Sequence, residues 1–138
     1  MTYNTLLTGL VTQLGTAFTS EELTIPVEKV VPYKKAGLTP IVYVYPNLYS
    51  STPIKLRRVN KTFTLNVAVE RTCRTESDYV SLWGTAETVY EMFEVLDDYI
   101  TVDSVCFMVR NISARYYKDT DDIAYVVMTI TLEQLSDD

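Results

Sequence analysis

The sequence predicts an α+β domain in which two helices pack on a mainly antiparallel sheet, in the order α-β-β-β-α-β-β. Two segments, residues 3–19 and about 76–98, have apolar residues at helical spacing. Between and after these segments, apolar and polar residues alternate with the period of two that indicates half-buried strands. A chain of 138 residues suffices for one core, so we expect a single domain, residues 1–138.

The first helix is predicted from its apolar residues, with Thr2 as a candidate N-cap. Gly9 and Gly15 lower its helix propensity. No charged residue precedes Glu21, which is typical of a helix whose outer face is partly covered. The apolar set is Tyr3, Leu6, Leu7, Leu10, Val11, Leu14 and Phe18.

Three strands are predicted next. The first covers residues 25–31, and Pro26 indicates an edge position because proline cannot donate a hydrogen bond to a neighbouring strand. The second covers residues 41–45, which are β-branched and aromatic. Residues 46–62 are predicted to form a protruding loop that includes basic residues, although the strand alternation extends back to Ile54 and Leu56. The third strand, residues 62–70, alternates between apolar and polar residues.

The second helix begins with a capping box, because Thr75 and Asp78 have the required spacing. Its apolar positions are Tyr79, Leu82, Trp83, Ala86, Val89, Tyr90, Phe93 and Leu96. Its other face is acidic, and no Lys or Arg lies four residues from any of these acids. This face is therefore either exposed to solvent or contacts a basic surface of a neighbouring molecule. These acids are Glu87, Glu91, Glu94, Asp97 and Asp98.

The C-terminal part of the chain predicts a long antiparallel hairpin. Residues 105–109 are almost all apolar, and the apolar positions after them have the opposite parity, which indicates a β-bulge near Arg110 and Asn111. Residues 118–122 are predicted to form a turn, and residues 124–133 alternate as a final strand.

Charge is segregated along the chain. Residues 1–54 have no net charge, residues 55–74 have six Lys or Arg and one Glu, and residues 75–138 have three basic and fourteen acidic residues. Isolated surface charges stabilise a monomer little, because salt screens them beyond about 10 Å and exposed pairs contribute at most about 1 kcal/mol. In a head-to-tail ring, the basic element of one copy would face an acidic face of the next copy. The alternative is two solvated surfaces without a partner.

No enzyme is expected from this sequence. Histidine is absent, and no nucleophile elbow or phosphate-binding loop is present. Cys73 lies near Arg71 and Arg74, which would lower its pKa, but it has no recognisable base, so we expect a structural thiol. Asp119, Asp121 and Asp122 have the oxygen ligands that Ca²⁺ prefers, but the loop lacks the glycine and distal Glu of an EF-hand. We therefore expect no metal and no cofactor.

Binding to nucleic acid and to membranes is also not expected. A pI near 4.6 disfavours recognition of duplex DNA through its phosphates. The tyrosines of the strands and loops are better explained by packing and protein interfaces than by base stacking. No apolar run approaches the roughly 20 residues of a membrane span, and the N-terminus lacks the pattern of a secretory signal, so we expect a cytoplasmic protein.

Nearly the whole chain resembles bacteriophage tail terminator proteins. The resemblance runs from about Thr2 to Leu132 and depends on an amphipathic helix, the segment VVPYKKAGLTPIVYVYP, a basic loop, a strand, a long acidic helix and a final hairpin. These tail-completion proteins of the phage neck are related in organisation to the minor tail protein U family. The chain is similar also to other head-completion and neck proteins.

The resemblance implies a structural protein of the virion that forms a hexameric ring on the finished tail tube. Such a ring ends polymerisation of the tail tube protein and joins the tail to the head connector or stopper protein, while DNA passes through it without specific binding. We hypothesise that Lys55, Arg57, Arg58 and Lys61 contact either the acidic helix face of a neighbouring subunit or the tail tube protein. The alternatives are another head-tail connector protein or a small-ligand-binding α+β module, which would have a deep closed pocket.

Overall fold

The structure, a computed structural model, describes residues 2–20, 25–29, 40–47, 62–94, 99–119 and 122–135. Most of the predicted loop 46–62 therefore lies outside the described residues. The elements are α1 (Tyr3–Ser20), β1 (Val27–Glu28), β2 (Ile41–Pro46), β3 (Thr62–Thr72), α2 (Glu76–Glu94), β4 (Tyr99–Val102), β5 (Val105–Lys118) and β6 (Ile123–Gln134).

In the described residues, the strands form one mixed sheet of six strands in the order β1-β2-β3-β6-β5-β4. Among these strands, β1 and β2 pair in parallel, and the other neighbouring pairs are antiparallel. The central pair, β3 and β6, is in register over its whole length, from Thr62 opposite Glu133 to Thr72 opposite Ile123. The predicted α+β class and the mainly antiparallel sheet are confirmed.

The core lies between one face of the sheet and the two helices. Alternate residues of β3 and β6 face the helices, as in the opposed pairs Leu65–Ile130 and Val67–Met128. Leu10 and Leu14 of α1 and Leu82 and Phe93 of α2 fill the other side, and all four are fully buried. The strict period of two in β3 and β6 therefore places one apolar face against the helices.

Both helix starts follow the predicted caps. The hydroxyl of Thr2 accepts a hydrogen bond from the Thr5 amide at 3.2 Å. At α2, Thr75 and Asp78 form the reciprocal capping box: the Thr75 hydroxyl accepts from the Asp78 amide at 3.3 Å, and the Asp78 carboxylate accepts from the Thr75 amide at 3.2 Å. These bonds give side-chain partners to amides at the start of each helix.

The predicted bulge in the last hairpin is confirmed at Arg110. Val109 lies opposite Leu132 and Asn111 opposite Thr131, which leaves Arg110 without a counterpart on β6. The extra residue reverses the parity of the side chains, so the residues that face the helices change from odd to even numbers along β5.

The structure also contains a strand, β4, that is absent from the predicted order. It pairs with β5 from Tyr99 opposite Met108 to Val102 opposite Val105. The predicted second helix extended to residue 98, whereas the described helix ends at Glu94, and residues 95–98 lie outside the described part. The first strand was predicted over residues 25–31. Within residues 25–29, which the structure describes, the strand consists of Val27–Glu28.

Candidate interaction surfaces

The position of α2 is fixed by contacts at its first turn. The guanidinium of Arg71, at the end of β3, donates to the Asp78 carboxylate at 3.0 Å and to the Ser81 hydroxyl at 3.1 Å. The Arg74 amide and the Arg71 guanidinium hold the pKa of Asp78 down at about 2. Asp78 is therefore ionised at neutral pH and joins the strand end to the start of the helix.

The outer side of α2 is acidic and exposed. Val80, Gly84, Glu87 and Glu91 follow one another at steps of four, three and four residues, and all four are exposed. We call these four residues the outer stripe. The sequence of α2 includes five acidic residues and neither Lys nor Arg. The structure thus places Glu87 and Glu91, two of the predicted interface residues, together on one solvent-facing side.

The other predicted interface residues are not placed in this way. Glu94 ends α2. Lys55, Arg57, Arg58, Lys61, Asp97 and Asp98 lie outside the described residues, so the hypothesis that the basic segment contacts the acidic face stays a prediction.

A shallow aromatic cleft lies between α2 and β5. Its volume is about 380 Å³, and it is lined by Tyr79, Trp83, Tyr116 and Val126. The rings of Tyr79 and Trp83 have centroids 6.0 Å apart, and the Lys118 ammonium lies 5.6 Å from the centroid of the Tyr79 ring. The cleft is open, since 47% of Trp83 and 49% of Tyr116 are exposed. Exposed aromatic side chains grouped in this way are typical of protein contacts.

The strand beside this cleft is β5, and part of its outer edge has no neighbouring strand among the described residues. The pairing of β4 with β5 ends at Met108, and within the described part of the chain no strand pairs with the outer edge of residues 111–118. The sequence of β5 includes Arg110, Arg115 and Lys118 and no acidic residue. Such basic side chains discourage two free edges from pairing with each other.

A polar pair is buried on the sheet face opposite the helices. Tyr43 and Glu70 are only 2% and 8% exposed, and their side chains are hydrogen-bonded. Burial raises the pKa of Glu70, and the bond from Tyr43 offsets this increase in part. Burial and the nearby Glu70 charge raise the pKa of the Tyr43 phenol. Both side chains are closed off from solvent.

Cys73 does not have the features of a nucleophile. It is 1% exposed, and burial followed by the Asp78 charge raises its pKa. Arg71 acts to lower this pKa, as the sequence suggested, but burial outweighs its effect and the net shift is upward. The structural role predicted for this thiol agrees with its place in the core.

The candidate calcium loop is only partly described. Asp119 accepts a hydrogen bond from the Tyr125 hydroxyl at 3.5 Å, and Asp122 pairs with Arg74 at 3.5 Å, while Asp121 lies outside the described part. Among the described residues, no three His, Cys, Asp or Glu side chains lie close enough together to hold a metal ion. Neither described helix is long and apolar enough to cross a membrane.

The sequence did not reveal the aromatic cleft. Trp83 keeps the spacing of the helix's apolar face, but Leu82, Ala86, Val89 and Phe93 fill the core, and Trp83 lies beside them at the rim. The sequence feature that could have indicated an exposed apolar surface here is Val80, which lies outside the predicted apolar face of α2. It is the most exposed large hydrophobic residue of the described part.

Comparison with known proteins identifies the fold. No protein-family model matches the sequence, and no curated protein matches it. A solved chain whose name states no function has a TM-score of 0.59 and 15% identity, over 100% of this chain and 99% of its own length. A chain from the virion of a native gene transfer agent particle has a TM-score of 0.55 and 11% identity, over 95% of both chains. The protein therefore has a fold that also occurs in a gene transfer agent virion.

Proposed function

We propose that this protein is a structural component of a phage-like virion, and more specifically a tail terminator. In this role it forms a ring on the end of the tail tube, ends tube polymerisation and joins the tail to the head connector. The observation that supports a virion role is the fold similarity to a gene transfer agent virion chain over 95% of both lengths. The narrower role is supported by the order of elements and by the segregated charge.

The described surfaces favour contacts with proteins over chemistry. The outer stripe of α2 is acidic and solvent-facing, and the aromatic cleft is open. Cys73, Tyr43 and Glu70 are all buried. We accordingly propose a protein without catalytic activity, whose partners are further copies of itself, the tail tube protein and a connector or stopper protein.

The ring is proposed to use opposite charges on separate elements. The basic residues Lys55, Arg57, Arg58 and Lys61 of one subunit contact the acidic side of α2, which includes Glu87 and Glu91, on the next subunit or on the tail tube protein. Charged rim contacts mainly orient a complex and speed its formation. Apolar and tyrosine contacts are then required for most of the affinity.

Purified tail tube protein from the same particle provides the test. Tubes assembled with this protein are expected to end in a ring by negative-stain electron microscopy and to be shorter than tubes assembled without it. Reversing all four cations to Glu is expected to abolish both effects, and adding Glu87→Lys and Glu91→Lys to that variant is expected to restore them in part.

The control is the double variant Lys34→Glu and Lys35→Glu, which reverses charge outside the basic segment. Light scattering measures the size of the rings and of their complexes with tubes. If the quadruple reversal leaves both ring size and tube binding unchanged, the charge contact is wrong. If the wild-type protein leaves tube ends bare at saturating concentration, the terminator role is wrong.

A further inference from the structure

One row of paired residues crosses the sheet from β1 to β5. It consists of Val27, Val42, Val69, Val126 and Tyr116, each opposite the next on the neighbouring strand. Among the described strands the row begins at Val27 and ends at Tyr116, since β4 pairs with a different part of β5. Directly paired residues lie on the same face of a sheet, so both ends of the row are on the helix side.

The backbone of Tyr116 points outward at the β5 edge. The Asp119 amide donates to the Ile123 carbonyl at 2.7 Å, so Asp119 directs its backbone groups towards β6. Successive residues of a strand direct these groups to opposite sides, which places those of Tyr116 and Ala114 on the outer side. No strand of the described part pairs with them, because the pairing of β4 ends at Met108.

The backbone of Val27 points outward at the opposite edge of the sheet. The Pro26 carbonyl accepts a hydrogen bond from the Val42 amide at 3.0 Å, so the backbone of Pro26 faces β2. The N–H and C=O groups of Val27 therefore face away from β2. Proline lacks an amide hydrogen, but this loss is on the β2 side, and the outer edge keeps the donor of Val27.

The residues beside the two row ends have opposite charges. Glu28 follows Val27 and Arg115 precedes Tyr116, so both side chains are on the sheet face opposite the helices. Arg115 is exposed, and its guanidinium donates to the Tyr117 hydroxyl at 3.3 Å. Among the described residues, neither Glu28 nor Arg115 has an ionic partner.

We propose that β1 of one copy pairs antiparallel with β5 of the next copy, with Val27 opposite Tyr116 and Glu28 opposite Arg115. This contact rests on the ring proposed above and names the surfaces that join its subunits. Val27 and Tyr116 exchange two backbone hydrogen bonds, and the Glu28 carboxylate meets the Arg115 guanidinium on the other face. The contact is heterologous, because each copy offers two different edges, and heterologous contacts generate rings when their rotation closes.

The antiparallel orientation follows from the topology of the sheet. Strands β1 and β2 run in parallel, and the pairs β2–β3, β3–β6 and β6–β5 each reverse the direction, so β5 runs opposite to β1. A copy added beside the sheet in the same orientation therefore presents an antiparallel β1 to β5. Because Val27 and Tyr116 are ends of one row, the added copy needs no displacement along the strands, which is compatible with a closed ring.

Two identical edges fit each other less well. The sequence of β5 includes three basic residues and no acidic residue, so pairing two β5 edges would bring like charges together. Pairing two β1 edges would join strands of two residues each and leave the β5 edge unused. Because β1 is short, its pairing with β5 is expected to be weak between free subunits and to form where a tail tube holds the subunits side by side.

An engineered disulfide tests the proposed register. Glu28 and Arg115 would form a pair without backbone hydrogen bonds, with Cα atoms about 4.5 Å apart, which a disulfide can span. Glu28→Cys and Arg115→Cys are combined in a Cys106→Ser background, which removes the partly exposed native thiol. The variant is bound to tubes of purified tail tube protein and oxidised. Non-reducing electrophoresis is expected to show a ladder of linked copies up to the size of the ring.

Two controls separate this contact from chance collision. A mixture of the two single variants should give linked dimers and no larger species, because each copy then has one accessible engineered thiol. Glu28→Cys with Ser113→Cys is the matched pair, since Ser113 is exposed and lies on the same face of β5 as Arg115. It should give little or no ladder, because diagonal neighbours are about 7–8 Å apart.

Charge exchange gives a second readout. Glu28→Arg and Arg115→Glu should each lower the fraction of tube ends that have a ring in negative-stain electron microscopy, because each variant places like charges opposite each other. The double variant should restore that fraction. Circular dichroism melting of the free proteins checks that the variants are folded.

The proposed contact and the proposed function can fail separately. A ladder of equal strength from the Ser113 pair overturns the register, and so does the absence of a ladder on tubes that are capped by rings. Absence of both rings and ladder overturns the contact as well. A ladder that forms in solution while tube ends stay bare at saturating concentration would support the contact and overturn the terminator role.

Discussion

Gly9 of α1 lies directly against the side chain of Val102 in β4. A Cβ atom added at Gly9 would collide with the Val102 Cγ1 atom. Glycine at this point thus allows the helix to approach the end of the hairpin, where the Gln13 side chain also donates a hydrogen bond to the Thr101 carbonyl at 2.5 Å. The two contacts attach α1 to β4 at the edge of the sheet.

Gly9→Ala is expected to destabilise the protein. Alanine favours a helix by up to about 1 kcal/mol over glycine, but overpacking a filled site costs typically about 1–3 kcal/mol, and the collision involves a β-branched side chain that is fully buried. Urea unfolding should show a lower midpoint with an unchanged slope. Gly15→Ala is the control and should be slightly more stable than the wild type. A Gly9→Ala protein as stable as the wild type would contradict this packing.

Asp78→Asn is expected to weaken the protein at neutral pH but not in strong acid. The pKa of Asp78 falls from its ordinary value of 3.8 to about 2 on folding, through bonds from the Arg74 amide and the Arg71 guanidinium. The ionised form therefore contributes stability above pH 3.8, which is lost as the pH falls towards 2. The difference in unfolding free energy between wild type and variant should shrink over this window. A difference that is constant from pH 6 to pH 2 would show that Asp78 acts without its charge.

Glu70→Gln is expected to have the opposite pH dependence. Burial raises the pKa of Glu70, so the folded protein binds a proton more readily than the unfolded chain. The wild type therefore loses stability as the pH rises from the ordinary glutamate pKa through the raised value, and the variant lacks this loss. Glutamine also keeps an oxygen that accepts from Tyr43. Urea unfolding from pH 4.5 to 7.5 should show the variant gaining relative to the wild type, and an unchanged difference would refute the shift.

Cys73 is expected to resist thiol reagents in the folded protein. Its burial in the core and its raised pKa both suppress the thiolate that reacts. Cys106 is partly exposed and serves as the internal comparison. Labelling at pH 8 should modify Cys106 first and Cys73 only at the rate of unfolding. Rapid modification of Cys73 in the native protein would show that the site opens.

The sequence was sufficient for the elements whose patterns are long and regular. The spacing in α1, the alternation in β3 and β6 and the cap at Thr75 each predict what the structure contains. Even the bulge was predictable, because the apolar side chains before and after Arg110 can face the same core only if one extra residue is inserted between them.

The missed elements have weaker signals for physical reasons. The strand β4 is four residues long, and its turn to β5 uses Asp103 and Ser104 at φ values of 51° and 67°, without the glycine that usually marks such a turn. Trp83 has core spacing but lies at the rim, because smaller residues already fill the space beneath α2. Tyr43 and Glu70 are buried on the sheet face opposite the helices. The alternation of apolar and polar residues along a strand does not specify the tertiary contacts that bury this face.

Deleting the gene for this protein from the genome that encodes the particle is the most direct test of the proposed role in ending the tail of a phage-like particle. Cryo-electron microscopy of the resulting lysate measures the length of the tail tubes and the fraction of tails joined to heads. We expect tubes of irregular, extended length and heads without tails, and we expect the wild-type gene supplied in trans to restore normal tail length and head joining. Particles with tails of normal length joined to heads would contradict it.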